Sequence, residues 1–186
     1  AEGESILENA AIEPEVISLG EFLIKMGAKI KGLGSRKIII DGVSKLHSVE
    51  HTIIPDRIEA GTFLVAAAIT KGSVLLKKTQ PEHLQSVLNL LSQTGALIAV
   101  EENKIELNMK RKHLKPVDFT TQPYPGIPTD LQAQLMVLNT IARGNSIVVE
   151  TIFENRFMHV LELQRMGADI SLSGNTAYIT GVKRLQ

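Results

Sequence analysis

The strongest constraint in this sequence is a pattern that occurs three times. Each copy is a Gly-Ala step that follows an amphipathic segment and precedes an extended one. The three glycines, Gly27, Gly95 and Gly167, lie 68 and 72 residues apart (27 to 95 and 95 to 167). An earlier glycine precedes each of them by 23 or 24 residues: Gly3, Gly72 and Gly144. Such regular spacing predicts a fold built from copies of one supersecondary unit.

The middle copy is complete and gives the order of elements in the unit. A short extended run, His51–Pro55, precedes a helix over Ile58–Thr70, which is apolar on most sides and is therefore expected to be buried. Gly72 is predicted to end this helix in the left-handed conformation. The remaining elements are a strand, a helix and two strands: Ser73–Lys77, Pro81–Gly95, Leu97–Val100 and Lys104–Met109. The unit thus reads β-α-β-α-β-β.

The third copy repeats this order, whereas the first copy enters it late. The third copy consists of Phe119–Thr121, Leu131–Ala142, Ser146–Glu150, Asn155–Met166, Asp169–Leu172 and Thr176–Gly181. The first copy has a strand, a helix and a strand pair: Ser5–Glu8, Pro14–Met26 and Lys31–Asp41. Because the first copy lacks its front half and the last ends where a fourth would begin, we expect the chain to be part of a longer protein.

Composition excludes several classes of function. Twenty basic residues balance twenty acidic ones, which gives no support for nucleic acid or an anionic membrane as a partner. The absence of cysteine excludes disulfides, thiolate catalysis and cysteine-based zinc sites within the chain. The five histidines lack metal-ligand spacing, so we predict no metal site. No apolar run reaches the roughly 18–20 residues that span a bilayer.

Four longer motifs occur in order along the chain: Glu8–Glu15, Pro55–Thr62, Pro128–Gln134 and Phe153–His159. Together they resemble the UDP-N-acetylglucosamine enolpyruvyl transferases, and the likeness covers nearly the whole chain. The resemblance implies an α/β (α+β) fold, the inside-out α/β barrel of the enolpyruvyl transferase family, built from repeated β-α-β-α-β-β units and incomplete here. In that fold the helices pack centrally, the sheets lie outside, and two globules of three units each enclose the active-site cleft.

The resemblance also implies a division of the chain. Residues 1–44 would close the last unit of one globule. Residues 45–186 would supply two units of the second globule, over about 51–115 and 116–186. The partners implied are UDP-N-acetylglucosamine, phosphoenolpyruvate and the remainder of the same enzyme, with no metal or cofactor and a cytoplasmic location.

The family reaction transfers enolpyruvyl from phosphoenolpyruvate to the 3-hydroxyl of the sugar, the first committed step of peptidoglycan synthesis. By resemblance, Asp130 takes the hydroxyl proton; its alternative role is that of a helix-start carboxylate. Thr129, Ile152, Phe153 and Arg156 match substrate-binding positions. The alternatives for these residues are strand-end packing and a surface ion pair.

Three further residues, Glu13, Asp56 and Arg57, match positions that line the cleft, although each is also a typical helix-start residue. Tyr124 receives no role.

We expect this polypeptide alone to be inactive, because the resemblance assigns other catalytic groups to segments outside it. We also expect self-association through an exposed apolar face of the helix Leu131–Ala142. Two other functions stay open: the enolpyruvyl transfer of the shikimate pathway, and a non-catalytic scaffold or interaction module.

Overall fold

A computed structural model describes residues 2–186 of the chain, in two compact units. The first unit ends at Ile54, and the second runs from Pro55 to Gln186. The division therefore lies after Ile54, whereas the sequence places it near residue 44. The assignment of the two parts to two globules of a longer enzyme stays a prediction.

The first unit is a three-stranded antiparallel sheet with one helix. Its elements are β1 (Glu4–Glu8), α1 (Pro14–Lys25), β2 (Lys29–Lys31) and β3 (Lys37–Asp41), and the strand order is β1-β3-β2. The helix ends as predicted at Gly27, whose φ of 102° is open to glycine and strained for other residues. The amide of Ala28 then bonds the Leu23 carbonyl at 2.9 Å, which closes the last turn.

The second unit contains two copies of the repeat. The first of them comprises α2 (Arg57–Ile69), β4 (Ser73–Lys77), a 3₁₀ turn (Pro81–Leu84), α3 (Gln85–Gln93), β5 (Leu97–Glu101) and β6 (Lys104–Asn108). The other comprises β7 (Phe119–Thr120), a 3₁₀ turn (Thr129–Leu131), α4 (Gln132–Thr140), β8 (Asn145–Val149), α5 (His159–Arg165), β9 (Asp169–Ser173) and β10 (Thr176–Thr180).

The sheet topology confirms the repeat. The strand orders are β4-β6-β5 and β7-β8-β10-β9, so both repeat the β1-β3-β2 order of the first unit, and β7 adds a parallel strand at one edge. The third copy therefore has the full predicted β-α-β-α-β-β order. Within residues 2–186 the three sheets stay separate and form no closed barrel, as expected for an incomplete domain.

Two predicted boundaries of the middle copy are wrong. The run His51–Pro55 forms no strand; His51 instead packs on α1, with its ring centroid 5.1 Å from that of Phe22. The left-handed residue after α2 is Lys71, with φ of 53°, and not Gly72. The amides of Lys71 and Gly72 bond the carbonyls of Ala68 and Ala67, so the helix closes in a Schellman motif one residue earlier than predicted.

The predicted helix Asn155–Met166 is also shorter than expected. It begins at His159, because Asn155 takes a left-handed backbone with φ of 57° and the preceding amides bond elsewhere. The four residues before α5 therefore form turns that precede the helix. This difference changes the candidate site, because these turns carry Arg156.

The two central helices, α2 and α4, pack against each other in the core of the second unit. Leu64, Leu131 and Leu135 are fully buried there. The prediction that α4 exposes an apolar face is wrong, since its large apolar side chains are covered within this chain, and the expected self-association through α4 loses its basis. Gly61 lets the turn before α4 lie close to α2, because a Cβ at that position would lie 2.5 Å from Leu131 Cδ1 and this buried side chain would have to shift.

We predict that Gly61→Ala lowers the free energy of unfolding by about 1–3 kcal/mol, because the added methyl group overpacks the contact between α2 and Leu131. Gly72→Ala is the matched control. Its Cβ would meet no atom closer than 3.4 Å and its φ is ordinary, so its cost should stay below about 0.5 kcal/mol. Urea unfolding of both variants measures the difference; equal stabilities would contradict this account of the packing.

Candidate functional site

Asp130 lies at the surface on a segment whose neighbour is anchored in the core. It occupies the middle of the 3₁₀ turn before α4, and its side chain is 58% exposed. The next residue, Leu131, is fully buried against α2. The sequence Pro-Thr-Asp-Leu thus presents a carboxylate to solvent from a backbone that the core holds in place. Both a helix-start role and a catalytic role are compatible with this position.

Arg156 pairs with Asp130 across the surface of the third copy. Its Nη2 lies 2.7 Å from Asp130 Oδ1, and its guanidinium carbon lies 5.1 Å from the ring centroid of Phe153. The arginine therefore joins the carboxylate to an exposed aromatic ring, through an ion pair and a cation–π contact. The pair is too exposed to contribute more than about 1 kcal/mol to stability, so its geometry matters more than its strength.

A buried carboxylate, Glu150, holds the remaining candidate residues together. Its side chain follows β8 and the residue is 2% exposed. One oxygen, Oε1, accepts hydrogen bonds from Thr121 Oγ1 and the Ile152 amide at 2.8 Å, and from the Phe153 amide at 3.3 Å. The other oxygen accepts a bond of 2.8 Å from Thr129 Oγ1. Glu150 thus connects the segment that carries Asp130 with the two predicted nucleotide-binding residues.

These hydrogen bonds decide the ionisation of Glu150. Burial by itself raises the pKa of a carboxyl group, but the donors from Ile152, Thr121, Thr129 and Phe153 outweigh burial and hold the pKa of Glu150 below its usual value. The side chain is therefore ionised at neutral pH, and all four donors are neutral groups. Its charge is solvated by oriented dipoles rather than by a salt bridge.

The backbone of Glu150 is fixed as tightly as its side chain. Its amide bonds the carbonyl of Asn175 at 2.9 Å, and its own carbonyl accepts a 3.0 Å bond from Asn175 Nδ2 in the turn between β9 and β10. Next to it, the hydroxyl of Thr151 bonds the carbonyl of Thr121. Glu150, Phe153 and Arg156 line a shallow cleft of about 260 Å³ at this hairpin.

The two other copies of the repeat carry no such carboxylate. Asn9 and Lys78 directly follow β1 and β4, as Glu150 follows β8, and both take left-handed backbones with φ of 55° and 56°. In the third copy the left-handed residue is Asn155, five residues further along. The backbone between Glu150 and Asn155 thus differs in conformation from the equivalent segments of the other copies, and it carries Ile152 and Phe153.

Two of the remaining predicted residues, Asp56 and Arg57, have structural partners of their own. Asp56 caps α2, since its Oδ1 accepts bonds from the amides of Ile58 and Glu59 at 2.7 and 3.1 Å. The guanidinium carbon of Arg57 lies 5.5 Å from the ring centroid of Tyr124. Glu13 immediately precedes α1 in the first unit. Their predicted place in a cleft stays a prediction.

His159, the last residue of the fourth motif, is a neutral packing residue. Burial and the nearby charge of Arg156 both lower its pKa, and its Nε2 lies 3.3 Å from Met136 Sδ. Within residues 2–186, no group of three or more His, Cys, Asp or Glu side chains has the arrangement of a metal site. No helix in this part of the chain is long and apolar enough to cross a membrane.

Sequence reasoning identified the exposed part of this site and missed the buried part. It selected Asp130, Thr129, Ile152, Phe153 and Arg156, and the structure brings these five together. It treated Glu150 only as the end of a strand. The available signal was an acidic residue directly after the apolar run Ile-Val-Val, at the point where the other two copies have Asn and Lys.

Comparison with known proteins places the chain in a family of carboxyvinyl transferases. The profile of the EPSP synthase (3-phosphoshikimate 1-carboxyvinyltransferase) family matches residues 1–186, so the chain belongs to this family. It is 55% identical over 185 residues to the UDP-N-acetylglucosamine 1-carboxyvinyltransferase of Hydrogenovibrio crunogenus. The match covers 100% of this chain and 44% of that relative, so the chain spans less than half the relative's length.

Solved structures support the same fold. The enolpyruvyl transferase NikO from Streptomyces tendae superposes on 97% of this chain with a TM-score of 0.86 and 25% identity, over 43% of its own length. An EPSP synthase from Acinetobacter baumannii covers 99% of this chain and 44% of its own, with a TM-score of 0.64 and 22% identity. The second likeness concerns the fold alone.

We predict that Glu150→Gln removes a stabilising contribution that depends on pH. The pKa of Glu150 is lower in the folded chain, so its contribution is present above the unfolded pKa and is lost as pH falls through the folded pKa. The variant should be about 1–3 kcal/mol less stable near pH 7, and this difference in unfolding free energy should narrow as the pH falls below 4.5, the ordinary pKa of a glutamate side chain. Urea unfolding across this range measures it.

The matched control is Glu154→Gln, which removes an exposed carboxylate from the same segment. Its stability should follow that of the unmodified chain at every pH, within about 0.5 kcal/mol. A gap for Glu150→Gln that stays constant with pH would show that ionisation of Glu150 does not stabilise the fold.

Proposed function

We propose that this chain forms part of an enzyme that transfers enolpyruvyl from phosphoenolpyruvate to the 3-hydroxyl of UDP-N-acetylglucosamine, in cytoplasmic peptidoglycan synthesis. The observation that carries the proposal is the cluster in which Asp130 and Arg156 pair beside Ile152 and Phe153, all joined through Glu150. The 55% identity to a UDP-N-acetylglucosamine 1-carboxyvinyltransferase supports the choice of sugar nucleotide.

Asp130 is the proposed general base. In the addition step the sugar oxygen bonds to C2 of phosphoenolpyruvate, its proton leaves to Asp130, and the methylene carbon gains a proton to give a tetrahedral ketal. In the elimination step phosphate leaves and the methyl group loses a proton, which restores the double bond. Arg156 engages Oδ1 of Asp130, so Oδ2 is the oxygen available to the hydroxyl.

The other residues of the cluster have binding roles in this proposal. Ile152 and Phe153 offer a half-buried aliphatic chain and an exposed ring to the uracil end of the nucleotide. Thr129 donates its hydroxyl proton to Glu150, which leaves its oxygen lone pairs for a substrate hydroxyl. Arg156 has further donors beyond the one that bonds Asp130, and these suit an anionic substrate. Glu13, Asp56 and Arg57 stay proposed cleft residues.

Two alternatives make different chemical demands. An enolpyruvyl transferase of the shikimate pathway would recognise shikimate 3-phosphate and would have no use for a surface that fits uracil. A non-catalytic scaffold would need neither the exposed carboxylate nor its arginine partner. The arrangement of Asp130, Arg156 and Phe153 favours the sugar-nucleotide reaction over both.

We predict that this chain binds UDP-N-acetylglucosamine weakly through its uridine end. Saturation-transfer NMR should show the strongest transfer to the uracil and ribose protons, because Ile152 and Phe153 present the apolar surface. Ile152→Asp should weaken binding by about tenfold or more, since a charge replaces apolar contact area. The control Leu97→Asp places the same charge on an exposed residue of β5 and should bind as the unmodified chain does.

Shikimate 3-phosphate tests the first alternative in the same spectra. Saturation transfer to shikimate 3-phosphate, with none to UDP-N-acetylglucosamine, would overturn the proposed substrate. Absence of transfer to either compound would favour the scaffold.

We also predict that the isolated chain does not turn over. Phosphoenolpyruvate carries a carboxylate and a phosphate, and charge stabilisation and positioning supply most of the rate of such a transfer. Within residues 2–186, Arg156 forms an ion pair with Asp130. The resemblance assigns the other catalytic groups to segments outside this chain. Phosphate release in the presence of both substrates should equal that of an Asp130→Asn control; release above the control would contradict this prediction.

A further inference from the structure

We propose that Glu150 is a positioning residue that fixes the carboxylate of Asp130 relative to the backbone of Ile152 and Phe153. The base and the nucleotide-binding segment would then form one rigid surface rather than two independent loops. This inference deepens the proposed function and rests on it for the identity of the ligand. The coupling between the two segments is argued from the contacts of Glu150, which do not depend on the identity of the ligand.

The two carboxylate oxygens of Glu150 bind two different segments. Oε1 accepts the Ile152 and Phe153 amides, and Oε2 accepts the hydroxyl of Thr129, the residue before Asp130. A shift of either segment therefore pulls on the same rigid, planar group. Thr129 lies 21 residues before Glu150 along the chain, so tertiary contacts such as these, together with the Asp130–Arg156 ion pair, set the distance between the segments.

Comparison of the three copies of the repeat shows that the scaffold forms without Glu150. Asn9 and Lys78 occupy the corresponding strand ends in the other copies, and those copies form the same sheet topology without a carboxylate at that position. The scaffold therefore does not require Glu150. A buried carboxylate must be supplied with hydrogen-bond donors, and Glu150 takes them from both surface segments. Its presence in the one copy that carries Asp130 and Phe153 indicates a role in the site.

The backbone of Glu150 is held rigidly by the sheet. Both the amide and the carbonyl of Glu150 bond Asn175 in the hairpin between β9 and β10. Its side-chain partner Thr121 is fully buried and also accepts a 2.9 Å bond from the Thr151 amide. The carboxylate is thus held from behind by elements of the sheet, and it can impose a position on the two surface segments in front of it.

The test compares Glu150→Ala and Glu150→Gln with Lys78→Gln, the equivalent strand end of the middle copy, in ligand-free ¹H–¹⁵N NMR spectra. Both Glu150 variants should change the amide chemical shifts of Ile152, Phe153 and Asp130 much more than Lys78→Gln does. Thr129→Val should change the amide chemical shift of Asp130 and leave those of Ile152 and Phe153 nearly unchanged, because it removes only the hydrogen bond from Thr129 to Glu150. A purely local structural role would leave Asp130 unmoved.

Affinity for UDP-N-acetylglucosamine provides the second readout. Glu150→Ala should weaken binding about tenfold, whereas Glu150→Gln should weaken it by about threefold or less, because its amide oxygen still accepts the two backbone bonds. If Glu150→Ala does not fold, Glu150→Gln and Thr129→Val carry the comparison.

The inference is overturned if the Glu150 variants fold, leave the Asp130 amide at its normal position and bind within about twofold of the unmodified chain. Failure of the unmodified chain to bind UDP-N-acetylglucosamine would instead count against the proposed function. The ligand-free spectra would still decide whether Glu150 couples the two segments.

Discussion

The close contact between α2 and α4 is the interaction on which the second unit depends. Gly61 lets Leu131 approach α2, and the amide of Gln134 adds a 3.1 Å bond to Thr62 Oγ1 across the same interface. Because Leu131 directly follows Asp130, the packing that stabilises the core also fixes the backbone of the proposed base. The surface chemistry of this chain is therefore anchored by a fully buried contact.

The site uses two carboxylates in opposite environments. Asp130 is exposed and forms an ion pair with one arginine, whereas Glu150 is buried and accepts hydrogen bonds from neutral donors. The exposed group is available to a substrate, and the buried group is fully occupied by the protein. Such a division suits a cleft in which one acid performs chemistry while another maintains geometry.

Much of this architecture could be predicted from sequence because it is local or periodic. The glycines at 27, 95 and 167 end their helices in the left-handed conformation, and the strands of the third copy lie within a residue or two of their predicted positions. The motifs also selected the surface residues that cluster around Asp130. In these cases the determining interactions lie within a few residues or within a motif.

The failures arose where distant contacts decide the structure. Glu150 bonds Thr121 and Thr129, which lie 29 and 21 residues away, so no local pattern indicates its burial. The start of α5 moved from Asn155 to His159 because Asn155 takes a left-handed backbone, with φ of 57°. The supposed exposed face of α4 is covered by α2, and only the folded unit shows that the two helices meet.

The most direct test of this account is a crystal structure of the chain with UDP-N-acetylglucosamine. The account predicts that the 3-hydroxyl of the sugar lies about 2.6–3.2 Å from an oxygen of Asp130, with the uracil ring against Ile152 and Phe153. A sugar nucleotide bound elsewhere, or bound here with its 3-hydroxyl directed away from Asp130, would contradict the central claim.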